Sequence, residues 1–364
     1  MNDRIKLIKP YISFDEVSAE LEAIFDSGQL TKGPHVAKFV QSLTKYTGAK
    51  YAFPMTSATT ALTMCLKAVG IKAGDKVAVS DFSFPATANV VEDLGAIPVF
   101  IDVDRSTYNM SGCDLRSKMD KDVKAVIFVD ALGNPSGIND IKLICNEFDI
   151  PLIEDAACAI GSAVDGIKVG NIADLTCFSF HPRKLLTTGE GGAVLTNDDV
   201  YAKWFEVKSN HGASGMRGKV FDFIDFGYNY RMSEIQALMG WKQIAKLDGI
   251  TQRRNAIADE YSHYLEPLGM NRQQIADGVY HNIQSLIFTV PETVNRDDLI
   301  DHLAKYNIES TLGTYCLSGT TFYTNKYDNV QTNAYWLENN TITFPCYDGV
   351  NVFKVTDCIK GFFS

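Results

Sequence analysis

A chain of 364 residues exceeds the length at which a single core keeps growing, so one large unit joined to a smaller one is expected rather than several equal modules. With 46% hydrophobic and 21% charged residues it reads as an ordinary globular protein, and its apolar stretches are too short and interrupted to cross a bilayer. A formal net charge of −10 argues against DNA and anionic lipid surfaces as partners.

A small anionic substrate remains compatible with that charge, given a local cationic pocket. Lys32, Arg183, Arg217 and Lys219 are candidates, each weighed against plain solvated surface charge. Residues 1–10 show no continuous apolar run of the secretory type, which makes the cytoplasm the expected compartment. The eight cysteines form no C-x-x-C pair and several lie in apolar contexts, so buried free thiols are expected, with no metal site.

Ser13 and Glu16 have capping-box spacing, and Val17, Leu21, Ile24 and Phe25 then recur on one helical face before Gly28. A second helix is predicted from about Thr59 to Gly70, followed by a strand at Val77–Val79. Beyond it the pattern alternates. A helix from Ala86 to Leu94 precedes strands at Pro98–Ile101 and Ala125–Val129, and a helix marked by Ile138, Ile141, Ile144 and Cys145 precedes the strand Pro151–Ile153. Two more strands, Thr176–Phe180 and Ala193–Thr196, complete the series.

This β-α-β rhythm predicts an α/β fold with a mostly parallel sheet covered on both faces. The large unit is expected over residues 1–245. After it the texture changes, with a strand at Ile283–Val290, a helix capped by Asn295 and a terminal helix over Val352–Ile359. That pattern predicts a smaller α+β unit over residues 246–364.

Ligands of such sheets gather at the carboxyl ends of the strands, so chemistry is sought there. The most informative stretch runs from Cys177 through Ser179, Lys184 and Gly189 to Gly192. A lysine in surroundings that disfavour its ammonium form becomes a nucleophile toward an aldehyde, and Lys184 lies between a buried-looking strand and a glycine-rich turn. Ser179 offers a hydroxyl suited to a phosphate.

Asp155 stands at another strand end among small residues. It is placed either to meet the protonated ring nitrogen of a pyridoxal coenzyme or to cap a helix. The hydroxyl-rich turn Thr56–Thr60 opens a helix whose free N–H groups suit a phosphate, with simple capping as the alternative. Phe84, in Phe82–Asn89, is either a ring laid on a cofactor face or a core residue.

In this order the four segments resemble the DegT/DnrJ/EryC1/StrS sugar aminotransferases, within fold-type I of the pyridoxal-phosphate (PLP) enzymes. The resemblance runs from about Pro10 to Cys346. It implies an aspartate aminotransferase-like large unit with PLP bound to Lys184 as a Schiff base. Asp155 would then pair with the ring nitrogen, Phe84 would stack on the ring, and Ser179, Thr59 and the backbone at Ala58 would hold the phosphate. Asn229, in Gly227–Met232, matches a position that reaches the phosphate from a neighbouring subunit, which implies a homodimer with shared active sites.

Three positions depart from the family pattern. Cys158 stands where many members carry a Gln that touches the cofactor's phenolic oxygen, and Ala58 stands for a Gly. A His common after the late tyrosine is replaced near Ser318. The resemblance implies amino transfer from an amino acid, L-glutamate first, to a nucleotide-linked keto sugar. C4 of a 4-keto-6-deoxyhexose is preferred to C3, in deoxysugar biosynthesis such as that of lipopolysaccharide O-antigen.

A sugar-dehydrating branch carries His at the Schiff-base position, which Lys184 opposes. An amino-acid-specific PLP enzyme commonly clamps a carboxylate with a C-terminal arginine. After Arg254 this chain has only Arg272 and Arg296, the latter reading as a surface residue at a helix start. A non-catalytic PLP-binding regulator is the remaining alternative, opposed by an intact Lys184 and Asp155.

Overall fold

The computed structural model describes residues 4–364. Its centre is a seven-stranded sheet of β1 (Tyr51–Met55), β2 (Lys76–Ser80), β3 (Ile97–Ile101), β4 (Val123–Val129), β5 (Leu152–Asp155), β6 (Leu175–Ser179) and β7 (Gly192–Thr196). The spatial order is β1-β7-β6-β5-β4-β2-β3. Strands β6, β5, β4, β2 and β3 pair in parallel, while β7 runs antiparallel to both β6 and β1.

The central strands are apolar on both faces because helices cover both. Val126, Phe128 and Leu152 pack with Phe39 and Leu43 of α2 (Pro34–Thr47). Ala125, Ile127 and Ile153 pack on the other side with Ala61, Leu62 and Cys65 of α3 (Ala58–Ala68). Continuous apolar runs such as Val-Ile-Phe-Val at the end of β4 are what a doubly covered parallel sheet requires.

The C-terminal part has its own core. Leu286 and Phe288 of β8 (Leu286–Thr289) and Ile342 and Phe344 of β9 (Thr341–Phe344) meet Leu299 and Leu303 of α4 (Arg296–Lys305) and Val355 and Ile359 of α5 (Val352–Phe363). The long helix Leu247–Leu265 joins the two parts. Leu247 and Ile250 lie in the sheet core, whereas Ala258, Tyr261 and Leu265 lie in the C-terminal one.

Several local expectations change. The first α-helix starts at Ser18, after a 3₁₀ turn closed by the Ser13–Glu16 box, and Phe25 stands 60% exposed rather than on the buried face. The strand expected over 283–290 is only Leu286–Thr289, because Ile283 takes a left-handed φ of 52° that no strand accommodates. Arg296 is buried rather than exposed, its guanidinium donating to the carbonyls of Glu338 (2.7 Å) and Thr341 (2.8 Å).

All eight cysteines are free; Cys113 is exposed, and Cys158 and Cys358 are only half-buried. Among the described residues no helix is long and apolar enough to cross a membrane.

Candidate active site

A cleft of about 560 Å³ opens at the carboxyl ends of β5 and β6, where the sheet delivers its polar residues. Ala58, Thr59, Phe84, Asp155, Cys158, Ser179 and Lys184 all line it. Asn229 does not; it is exposed, in the segment that follows a solvent-facing hairpin. Of the four cationic candidates only Arg183 reaches the cleft. Lys32 is engaged with Asn210, while Arg217 and Lys219 lie exposed on the hairpin.

Lys184 sits on a loop closed tightly upon itself. Phe180 N–H donates to Gly191 C=O (2.9 Å), Thr188 N–H to Phe180 C=O (2.9 Å), and Lys184 N–H to His181 C=O (2.9 Å). Gln284, from the C-terminal part, clamps the loop from outside. Its carbonyl accepts from Leu185 N–H (2.8 Å) and its amide donates to Arg183 C=O (2.8 Å). Held this way, the Lys184 amine lies 3.0 Å from the Cys158 thiol, the position at which the family pattern departs.

Asp155 is buried, and no helix follows it; residues 157–161 are turns. The carboxylate is therefore not spent on a helix cap. Its Oδ2 accepts from the Thr87 hydroxyl (2.7 Å) and its Oδ1 accepts a long bond from Ala157 N–H (3.3 Å). Burial pushes the carboxyl up from its ordinary range, while the Thr87 bond, the Ala157 N–H and the Lys184 charge pull it down. A cationic N–H in the cleft would complete this compensation.

The opening turn of α3 is fixed by a reciprocal box, in which Thr60 N–H donates to Ser57 Oγ (3.1 Å) and Ser57 N–H to Thr60 Oγ1 (3.1 Å). The first backbone bond is Ala61 N–H to Ser57 C=O, so the N–H groups of Ala58 and Thr59 precede the helical ladder and are free for an anion. Gly192 presses on this turn: a Cβ there would lie 2.5 Å from the Ser57 carbonyl carbon and 2.6 Å from Ala58 N. Ser179, also buried, accepts only a long contact from His181 N–H (3.4 Å).

Phe84 is 66% exposed, with its ring edge-on to Tyr315 at 6.3 Å. An aromatic left bare at the mouth of a cleft is not acting as core. Ser318, by contrast, does not line the cleft. It is buried and bound through N–H (2.7 Å) and hydroxyl (2.6 Å) to Asp81, so the substituted His position serves structure here. Sequence reasoning missed Thr87 and Gln284. Thr87 lay inside the segment read for its aromatic ring, and nothing local marks Gln284.

Arg254 also borders the cleft, but it cannot serve as a carboxylate clamp. Its guanidinium donates to the carbonyls of Ile283 (2.7 Å), Gln284 (3.0 Å) and Cys346. Arg272 pairs with Asp259 (2.9 Å).

A lysine amine, a buried carboxylate and an uncommitted helix N-terminus around one cleft fit the aldehyde, ring nitrogen and phosphate of PLP, and on this fold they define a PLP-dependent aminotransferase. Comparison with known proteins agrees. The DegT/DnrJ/EryC1/StrS aminotransferase family model matches residues 13–362, and the chain belongs to that family.

A Vibrio cholerae protein named GDP-perosamine synthase is 31% identical over 353 residues, covering 94% of this chain and 95% of its own. A Campylobacter jejuni protein named UDP-4-amino-4,6-dideoxy-N-acetyl-beta-L-altrosamine transaminase is 36% identical over 259 residues, 70% of this chain and 68% of its own. A Streptococcus pneumoniae structure in its PLP form superposes with a TM-score of 0.90 at 27% identity, covering 99% and 97% of the two chains. The protein is a PLP-dependent sugar aminotransferase.

Proposed function

We propose that this enzyme moves an amino group from an amino acid, L-glutamate first, to C4 of a nucleotide-linked 4-keto-6-deoxyhexose. The observation that carries the reading is the Lys184 amine, 3.0 Å from Cys158, in the same cleft as the buried Asp155 carboxylate. The names of the relatives support a nucleotide-linked sugar, and the Campylobacter name itself contains a 4-amino-4,6-dideoxy sugar on UDP. No free C-terminal arginine faces the cleft to favour an amino-acid acceptor.

When bound, PLP supplies an aldehyde that takes up the amino group and a ring that acts as an electron sink. Ala58, Thr59 and Ser179 bind its phosphate, and Phe84 covers the ring. Asp155 holds the negative charge that keeps the ring nitrogen protonated. The Lys184 amine withdraws a proton from the donor's α-carbon and later delivers one to the sugar carbon, fixing the new stereocentre. Cys158 offers a thiol where a carboxamide is usual, a poorer hydrogen-bond partner for the cofactor's phenolic oxygen.

The large unit, residues 1–245, carries these groups, and residues 246–364 close the cleft. Two copies complete the sites, Asn229 of each reaching its partner. Met216, Phe221, Phe223, Ile224 and Phe226, all exposed on and after the hairpin that leads to Asn229, favour this assembly. Light scattering that returned the mass of a single chain would remove the shared-site part of the proposal.

The central test adds glutamate to the purified holoenzyme and then UDP-, dTDP- or GDP-linked 4-keto sugars, reading cofactor absorbance and product mass. Glutamate should bleach the absorbance, and one sugar should restore it with gain of an amino group. Lys184→Ala should slow this by at least about 10²–10⁴-fold. Undiminished turnover by that variant would end the assignment.

A further inference from the structure

Two carboxyl groups behind Asp155 have no part in the reaction as described. Glu154 precedes Asp155 on β5, and Asp130 directly follows β4. The register pairs Phe128 with Glu154 and Val129 with Asp155. Successive side chains on a strand alternate faces, so Glu154 points with Phe128 to the α2 side of the sheet, away from the face that carries Asp155. The N–H of Asp130 donates to the Asp155 carbonyl (3.2 Å), which ties the two strand ends together.

Both side chains are fully buried. Glu154 Oε2 accepts from the Thr176 hydroxyl (2.7 Å). No donor among the described residues meets its Oε1 or either oxygen of Asp130. Yet the two carboxyls lie within hydrogen-bond reach of each other. Two buried carboxylates facing each other would repel strongly, whereas one proton turns the same geometry into an O–H···O bond.

We infer that Asp130 and Glu154 hold a single proton between them, placing one fixed negative charge behind Asp155 and making the pair a positioning device for the charge that Asp155 presents to the ring nitrogen. Only the last clause rests on the proposed function; the shared proton does not. Burial pushes Glu154 up to about 7, opposed by Thr176, the Gly170 N–H, Asp130 and the Lys142 ammonium. Burial, then the charges of Glu154 and Asp155, hold Asp130 well above the carboxylate range. The Cys158 thiol from the following loop also acts on Asp130, whereas Cys177 lies on the opposite face of the sheet, beside Asp155 in the register.

The pair predicts an unusual pattern. Asp130→Asn leaves the charge on Glu154 with an amide donating to it, and Glu154→Gln leaves it on Asp130. Either single variant therefore keeps one charge, and only the double variant loses it. Infrared difference spectra of the cofactor-free chain at pH 7.5 should show a protonated carboxyl band in the wild type that disappears in each single variant.

In the holoenzyme, the pH at which the cofactor absorbance changes should stay at its wild-type value in both single variants. It should fall by roughly one unit in Asp130→Asn/Glu154→Gln. No acid band lost in either single variant would overturn the shared proton. Single shifts as large as the double, or a silent double, would overturn the positioning role. The infrared arm needs neither substrate nor cofactor, so it reads the pair even if no keto sugar is aminated.

Discussion

Asp155 is held between burial, which favours its neutral form, and three neighbours that favour its charge. The Thr87 hydroxyl is the largest of these, and it reaches the carboxylate from 68 positions away. Removing it in Thr87→Val leaves the residue's volume nearly intact but strips a charged acceptor of one donor. That loss costs about 1–3 kcal/mol in the charged state. Cofactor affinity, titrated by absorbance, should weaken by about 5- to 100-fold, whereas Thr87→Ser should restore it.

The same contact shows where sequence reading stops at this scale. Asp155, Ser179 and the Ala58–Thr59 turn were legible because each ends a strand or opens a helix, and Lys184 because it lies in the glycine-rich loop that follows a strand, so local pattern gives its position. Gln284 fastens the Lys184 loop across 99 positions, and no property of its own neighbourhood announces that role. Arg296 misled for the same reason. Its place at a helix start suggested solvent, but its carbonyl partners come from 42 and 45 residues downstream.

Among the elements, the proposed phosphate cradle depends on how closely β7 approaches the first turn of α3. The approach requires that residue 192 have no side chain, since a Cβ would lie 2.5 Å from backbone that has no freedom to retreat. Gly192→Ala should push the two apart, destabilising the apo-protein by about 1–3 kcal/mol in urea unfolding and reducing cofactor affinity at the same time. An alanine variant with both quantities unchanged would show that the turn does not need this contact.

Strands β2 to β6 were readable because a doubly covered parallel sheet needs unbroken apolar runs. β1 was not, since Pro54 within Tyr51–Met55 argues against a strand. The structure accommodates it by placing β1 at the sheet's edge, where a proline removes no needed donor. The start of the strand expected at 283–290 was lost to a left-handed residue, a conformation that an isoleucine does not advertise.

Across the whole molecule, buried ionisable groups oppose one another in their response to pH. His281, from the C-terminal part, is buried with Nε2 3.3 Å from the Leu132 carbonyl of the sheet part. Burial pushes its imidazole down to about 4; the Leu132 carbonyl partly offsets this, while the Arg272 and Arg254 charges add to it. The unfolded chain takes up this proton near 6.5, so between about 4 and 6.5 the unfolded state binds more protons and stability falls as pH falls.

The Asp130–Glu154 pair acts with the opposite sign. Its folded-state proton is held where the unfolded carboxyls have already released theirs, so its contribution declines as pH rises above the ordinary carboxylate range. The two slopes overlap and flatten the wild-type profile near pH 5 to 6.5. His281→Gln keeps a donor for Leu132 and removes one slope. Urea unfolding from pH 4.5 to 7.5 should then show the variant gaining on the wild type as the solution is acidified, by up to roughly 3 kcal/mol at the acid end. Parallel curves for the two proteins would mean that His281 does not stay neutral inside the fold.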